Sequence, residues 1–145
     1  YDVDYSVANV LSWRTKKTFD LVTNFWFGYS HKPSLEKVIN FFQKMIDLTA
    51  RHGTIVLSYH NNWKLFDKIP QSTKEPMGGS FNFDALQWSY VEPVTGDKYS
   101  CISPHKDLIL ETFAPHFKTY HLVDYPEFAG KELLVLEDKN ATRRV

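Results

Sequence analysis

The sequence predicts an α/β fold in which helices pack on a sheet that is parallel in its first part. Residues 18–61 read as strand, loop, amphipathic helix and second strand, which is the unit that builds parallel sheets. Residues 84–103 alternate apolar and polar positions around a turn, as an antiparallel hairpin does. A helix pattern and two short apolar runs follow, and we expect these runs to be the last two strands.

The parallel unit is predicted from signals that follow one another along the chain. Residues 19–22, FDLV, are a short apolar run broken only by Asp20, which is typical of a strand covered on both faces. Pro33 and Ser34 signal a helix start. The helix then carries one buried stripe at three- and four-residue spacing, made of Leu35, Val38, Ile39, Phe42, Met45, Ile46 and Thr49. We expect Gly53 to end the helix in the left-handed conformation, before a β-branched strand at 54–59.

The rest of the chain predicts a mixture of short elements. They are a short helix at 61–68, a mobile loop at 69–80, the hairpin at 84–103, a helix opened by Pro104 and closed by Pro115, and strands at 118–123 and 133–136. The loop at 69–80 contains two prolines and a Gly-Gly pair, which favour an irregular segment that could act as a lid. The hairpin is interpreted as an insertion. The length favours one domain spanning residues 1–145.

Charge and cysteine content exclude several functions. Seventeen basic and seventeen acidic side chains cancel, and no long run of like charge exists, so nucleic acid and anionic membranes are disfavoured as partners. The single cysteine, Cys101, cannot form an internal disulfide and fits a reducing compartment. No signal-peptide pattern or membrane-spanning run is visible, so a cytoplasmic location is expected. The histidines and the cysteine show no metal-ligand spacing, and no metal site is predicted.

The order of these parts resembles the C-terminal portion of a class I S-adenosylmethionine-dependent methyltransferase. FDLV and its aromatic loop resemble the fourth strand of that family, and RHGTIVLSYHN resembles the fifth. The segments ANVLSW, YHNNWKLFDK and SPHKDLILETFAPHF are similar to small-molecule methyltransferases of the glycine N-methyltransferase type. The resemblance implies a partial Rossmann-like sheet with an antiparallel closing hairpin, and S-adenosyl-L-methionine as the cofactor.

In that family a glycine-rich cofactor-binding motif and an acidic ribose-binding residue precede these segments, and this chain contains neither. The first strand would then have an open backbone edge, which invites pairing with another strand. We therefore expect an N-terminal half, in cis or as a partner chain, to complete the sheet. The implied activity is methyl transfer to a small molecule by the completed protein. The alternatives are a non-catalytic methyltransferase-like subunit, and an unrelated α/β binding domain or another nucleotide-dependent enzyme.

The resemblance also assigns cofactor-binding and catalytic residues. Asn9 and Val10 would approach the adenine, although a polar turn residue explains Asn9 equally well. Phe25 would cover the sulfonium, and Gly28 would allow close approach of the backbone. The catalytic candidates are His31 and Tyr29 of the same loop, with a solvated surface position as the alternative for His31.

The expected substrate-binding residues follow two strand ends and are Trp26, Phe27, Tyr59, His60 and Asn61. Aromatic faces in this loop suit a flat ring or an ammonium group. Core packing is the alternative interpretation of Phe27, and capping of the next helix is that of Asn61. Because a sulfonium methyl is already activated, no catalytic triad is expected.

Overall fold

The computed structural model describes residues 4–25, 28–60, 79–82, 84–91, 94–124 and 131–140. In chain order its elements are β1 (Phe19–Asn24), α1 (Leu35–Leu48), β2 (Thr49–His60), β3 (Gly79–Asn82), β4 (Gln87–Val91), β5 (Lys98–Ile102), α2 (Lys106–Phe113), a short 3-10 turn (Ala114–His116), β6 (Phe117–Asp124) and β7 (Lys131–Lys139). The predicted helix at 61–68 and most of the predicted loop at 69–80 lie outside the described residues. The last two residues of that loop belong to β3.

The main sheet has four strands in the order β1-β2-β7-β6. β1 and β2 are parallel, while β7 runs antiparallel to both β2 and β6. The register places Asn24 of β1 beside Leu57 of β2, and Tyr59 of β2 beside Glu132 of β7. The carboxyl ends of β1 and β2 therefore meet the beginning of β7 at one edge. The predicted α/β fold, with a parallel pair closed by antiparallel strands, is confirmed.

Helix α1 forms where the sequence predicts it and covers one face of this sheet. The Ser34 side chain accepts a hydrogen bond from the backbone N–H of Lys37 at 3.3 Å, which caps the helix, and Glu36 lies in the first turn. Its buried residues are Val38, Phe41, Phe42, Met45, Ile46 and Leu48. The ring centroid of Phe42 lies 5.1 Å from those of both Tyr29 and Phe113, so α1 joins the loop after β1 to α2.

The prediction that Gly53 ends α1 in the left-handed conformation is wrong. The helix ends at Leu48, and Thr49 is already extended. The residue with positive φ is His52, at 64°, whereas Gly53 lies buried inside β2. A Cβ at Gly53 would come within 3.0 Å of the backbone oxygen of Asp20, so this glycine serves the close approach of β2 to β1.

The C-terminal end of α1 is held from the far end of the chain. The ammonium of Lys139, in β7, donates to the carbonyls of Ile46 at 2.5 Å and Thr49 at 2.7 Å. These carbonyls belong to a helix end that leaves backbone acceptors without intrahelical partners. Burial lowers the pKa of Lys139, and the hydrogen bonds compensate part of that cost. The contact fixes β7 against the junction of α1 and β2.

Strands β3, β4 and β5 form a separate antiparallel sheet in that order. This sheet is attached to the loop after β1, because the Ile102 N–H donates to the carbonyl of Ser30 at 2.7 Å. Both residues are buried. The hairpin formed by β4 and β5 therefore lies beside the same loop that the sequence marks as functional.

Strand β1 is the outermost strand of the main sheet, and no described strand pairs with its other edge. The side chain of Leu21 is 57% exposed and that of Phe19 is also exposed. Ile55, Leu57, Leu134 and Leu136 belong to the buried cluster with Phe42 and Phe113, so α1 and α2 cover their face of the sheet. The register puts Leu21 on the opposite face, with apolar neighbours Val56, Leu133, Val135 and Val123. This face and this edge both present apolar surface.

Candidate functional site

The candidate site lies at the carboxyl ends of the parallel strands β1 and β2. In α/β proteins this edge is where ligands bind, because loops there can converge without interrupting the sheet. The loop after β1 reaches from Phe25 to the helix cap at Ser34, and β2 ends at His60. Because β7 is antiparallel to β2, its first residues, including Glu132, come to the same edge.

Asn24, the last residue of β1, has an unusual environment. Its side-chain oxygen Oδ1 is buried and has no hydrogen-bond partner among the described residues. Its backbone carbonyl accepts a hydrogen bond from Ser58 Oγ at 3.4 Å, which fixes the strand end. A Cβ at Gly28 would lie 3.0 Å from Asn24 Nδ2, so the absence of a side chain at Gly28 leaves room for this amide. Buried polar atoms are nearly always hydrogen-bonded, so this oxygen is an exception at the end of the strand.

Tyr59 and Glu132 form a buried pair at the same edge. Their side chains are 1% and 3% exposed, and the Tyr59 hydroxyl donates to the Glu132 carboxylate. Burial, then this hydrogen bond, and then the nearby charges of Glu132 and Asp124, among others, raise the pKa of Tyr59. Asp124 lies opposite Glu132 in the register of β6 and β7. The hydroxyl therefore stays protonated over the ordinary pH range.

We predict that Tyr59→Phe changes how stability depends on pH in the alkaline range. Below pH 10 the unfolded tyrosine is protonated, so wild type keeps the full benefit of the hydrogen bond, about 1–3 kcal/mol. Above about pH 10 the unfolded phenol ionises while the folded one does not, and wild type loses about 1.4 kcal/mol per pH unit from this group. Urea unfolding of both proteins between pH 8 and about 11.5 measures the effect. The stability gap between them should shrink as the pH rises above 10.

The other ionisable groups contribute equally to the free energy of unfolding of wild type and of Tyr59→Phe, so their contributions cancel in the difference between the two proteins. A stability gap that stays constant from pH 8 to about 11.5 would contradict the raised pKa of Tyr59. A phenylalanine fills the same volume, so no cavity is introduced.

The structure places the loop candidates in different environments. Tyr29 is 1% exposed and packs against Phe42, in the same buried cluster as Tyr59. His31 is exposed on the surface, and Phe25 is 50% exposed just after β1. Gly28 lies beside Asn24. The structure thus brings Tyr29 and Tyr59 together in the core and leaves His31 and Phe25 facing outward.

Asn9 and Val10 belong to a turn that precedes β1. The Asn9 side chain accepts from the Leu11 N–H at 3.1 Å, and its carbonyl accepts from the N–H groups of Ser12 and Trp13. This is the bonding of a polar turn residue, the alternative interpretation of Asn9. Val10 is half-buried and packs against the core cluster. An adenine contact by either residue stays a prediction.

The remaining candidates are only partly visible. Trp26, Phe27 and Asn61 lie outside the described residues, and so does the side chain of His60, whose backbone ends β2. Their assignment to substrate binding stays a prediction. Two polar residues of the edge, Asn24 and Glu132, were not predicted from the sequence. A polar residue directly after the apolar run FDLVT could have pointed to Asn24.

The described residues show neither a metal site nor a membrane-spanning helix. No group of three or more histidine, cysteine, aspartate or glutamate side chains among them is arranged to hold a metal ion. None of their helices is long and apolar enough to cross a membrane. Cys101 is partly buried, and burial raises the pKa of its thiol, so this cysteine has no sign of an activated nucleophile.

The chain has the same fold as part of several solved structures. No protein-family model and no curated protein matches the chain. The PH0226 protein from Pyrococcus horikoshii superposes with a TM-score of 0.70 at 14% identity, over 95% of this chain and 60% of its own. An S-adenosylmethionine-dependent methyltransferase from Clostridium acetobutylicum gives 0.62 at 11% identity, over 93% and 64%. CalS10, an amino pentose methyltransferase from Micromonospora echinaspora solved with bound S-adenosylmethionine, gives 0.58 at 14%, over 91% and 63%.

These superpositions establish that the chain has the same fold as the part of each solved protein that it covers. The chain spans less than two thirds of the length of each of the three proteins. The part that the comparison leaves uncovered is more than a third of each of those proteins.

Proposed function

We propose that this chain is the C-terminal part of an S-adenosylmethionine-dependent methyltransferase that acts on a small molecule, of the glycine N-methyltransferase type. The observation that carries the proposal is the sheet order β1-β2-β7-β6, in which no described strand pairs with the outer edge of the parallel pair. The likeness to solved methyltransferases over more than 90% of this chain supports it. A cytoplasmic site of action agrees with the single cysteine.

The outer edge of β1, which has no described strand partner, is an argument for a second segment in the working protein. An exposed strand edge with apolar side chains, such as Leu21 and Phe19, is a template for pairing. The face of the sheet that carries Leu21 also holds Val56, Leu133 and Val135, which are only partly buried among the described residues and would be covered by further structure. We propose that an N-terminal half, in the same protein or as a partner chain, supplies both. Neither nucleic acid nor a membrane is proposed as a partner.

The residues at the carboxyl edge fit S-adenosylmethionine as the cofactor. Asn24 has a buried acceptor without a partner among the described residues, and the absence of a side chain at Gly28 leaves room for this amide at the strand end. Phe25, half-exposed next to them, offers an aromatic face to a sulfonium. Asn9 and Val10 are proposed to contact the adenine. When bound, the cofactor supplies a methyl group that is already activated by its sulfonium.

The protein's own contribution is to orient the acceptor and exclude water. We propose that the substrate lies against Trp26, Phe27, His60 and Asn61, and that Tyr59 acts there through its contact with Glu132. His31, being exposed, can reach a ligand as a hydrogen-bond donor or base. Tyr29, being buried, is placed to hold the loop in position and not to exchange protons with solvent.

Isothermal titration of the full-length protein with S-adenosylhomocysteine tests this function. We expect saturable binding at one site, and no comparable binding of ATP, which shares the adenosine but lacks the methionine part. No binding of S-adenosylhomocysteine by the full-length protein would contradict the proposal and favour a non-catalytic, methyltransferase-like subunit. Equal binding of ATP would point to another nucleotide-dependent function.

A further inference from the structure

We infer that the outer edge of β6 is a dimerisation surface, where β6 of a second copy of this chain pairs antiparallel around a two-fold axis at His121. The inference does not depend on the proposed function. Three features of the described residues support it: an exposed strand edge, the lack of features that block pairing along it, and side chains that complement those of an identical strand.

The first feature is the edge itself. β6 is the last strand in the order β1-β2-β7-β6, and no described strand pairs with its outer side. Every residue from 118 to 124 is exposed. The side chains of Tyr120, Leu122 and Val123 are 47%, 40% and 48% exposed. This edge lies at the opposite end of the sheet from β1, so a segment that pairs with β1 does not occupy it.

The second feature is the lack of protection along the edge. Natural proteins protect edge strands with a central charge, a proline or a bulge. The pairing of β6 with β7 runs without a shift from Thr119 to Asp124, so this part contains no bulge. Residues 119–123, TYHLV, include no proline, lysine, arginine, aspartate or glutamate, and most of them favour strands. An exposed edge of this composition is a template for pairing with another strand.

The third feature is that the strand complements itself. Around a two-fold axis through the sheet, opposed side chains lie on the same face, so the axis must pass through a residue. A centre at His121 places Lys118 opposite Asp124 of the second copy. It also places Tyr120 opposite Leu122. A centre one residue earlier or later instead sets a charge against one of these apolar side chains. Opposite charges and apolar pairs across strands are favourable, which selects the centre at His121.

The contacts that these side chains already make are compatible with this pairing. Lys118 Nζ lies 2.6 Å from Asp138 Oδ2, and an ammonium has three donors, so it can bond to a second carboxylate. The ring of His121 bonds to Glu137 of β7 at 3.1 Å, so each ring at the axis has a carboxylate of its own chain beside it. Because the pairing occupies the β6 edge of both copies, association through it ends at a dimer.

Sedimentation velocity of the full-length protein at pH 8, over a wide range of protein concentration, tests the inference. The variants are Lys118→Glu and Asp124→Lys, each alone and both together, and Tyr120→Glu. Lys98→Glu, at an exposed position of the outer strand β5 in the other sheet, is the matched control.

We expect wild type to show a reversible equilibrium between monomer and dimer. Lys118→Glu should raise the dissociation constant of the dimer about tenfold, because it opposes like charges on both sides of the axis. Asp124→Lys should do the same, and the double variant should return to within about threefold of wild type. Tyr120→Glu should stay monomeric, since a charge in the middle of an edge strand prevents pairing. Lys98→Glu should dimerise like wild type.

Several results would overturn the inference. Wild type that is monomeric at every concentration would do so and would leave this edge to a different partner, and a polymer larger than a dimer would contradict the two-fold pairing. A dimer that Tyr120→Glu leaves unchanged forms through another surface. A double variant as weak as the single ones rejects the centre at His121. If Lys118→Glu does not fold by circular dichroism, Lys118→Gln and Asp124→Asn are measured, and no weakening by either would reject the charge pair.

Discussion

Replacing Phe42 with alanine is expected to lower the free energy of unfolding by about 3–5 kcal/mol. Phe42 is fully buried, and its ring contacts those of Tyr29 and Phe113 with centroids 5.1 Å apart in each case. It therefore joins α1, α2 and the loop of the candidate site, and its removal leaves a cavity where three elements meet. Urea unfolding of the full-length protein measures the loss.

Val94→Ala is the control for this prediction. Val94 is 89% exposed, so its truncation should change the free energy of unfolding by no more than about 0.5 kcal/mol. Similar losses for the two variants, or a loss below about 1 kcal/mol for Phe42→Ala, would contradict the packing described for this core.

Phe42→Ala should also reduce the affinity for S-adenosylhomocysteine. The loop that carries Gly28 is held to the core by Tyr29, which packs on Phe42. Removing the Phe42 ring increases the conformational freedom of that loop. Because the loop must then be ordered when the ligand binds, the free energy of binding becomes less favourable.

Local patterns were sufficient to predict α1, α2 and the parallel unit. The apolar stripe of α1 and its start at Ser34 are properties of neighbouring residues, and the structure confirms both except at Thr49, which belongs to β2. The conformation at Gly53 could not be predicted in this way. Its role depends on the backbone of Asp20, on another strand, so the local signal for a helix stop pointed to a residue that the tertiary structure uses differently.

The sequence predicts the part of the candidate site that lies in continuous stretches, namely a strand end and the residues that follow it. Tyr59 was identified because it follows an apolar strand, but its partner Glu132 lies 73 residues away in β7. That contact depends on antiparallel pairing between strands, which periodicity does not reveal. Asn24 was missed because an asparagine after a strand is usually a turn residue. Only the missing partner for its buried oxygen distinguishes it.

In the full-length protein, β1 is expected to be an interior strand paired on both edges. Every second amide of β1 points away from β2, and these amides have no strand partner among the described residues. Pairing with a further strand would make them exchange with solvent at least about a thousandfold more slowly than unpaired amides, since opening would require about 4 kcal/mol.

Hydrogen exchange followed by NMR measures this directly on the full-length protein with Tyr120→Glu, the substitution that keeps the outer edge of β6 unpaired. Strand β6, at the other end of the sheet, is the internal control, because its outward amides also lack a described strand partner. We expect the outward amides of β1 to be as protected as those of β2, and the outward amides of β6 to exchange quickly. Exchange at β1 as fast as at β6 would show that β1 is a true edge, and would contradict the proposal that this chain is part of a larger sheet.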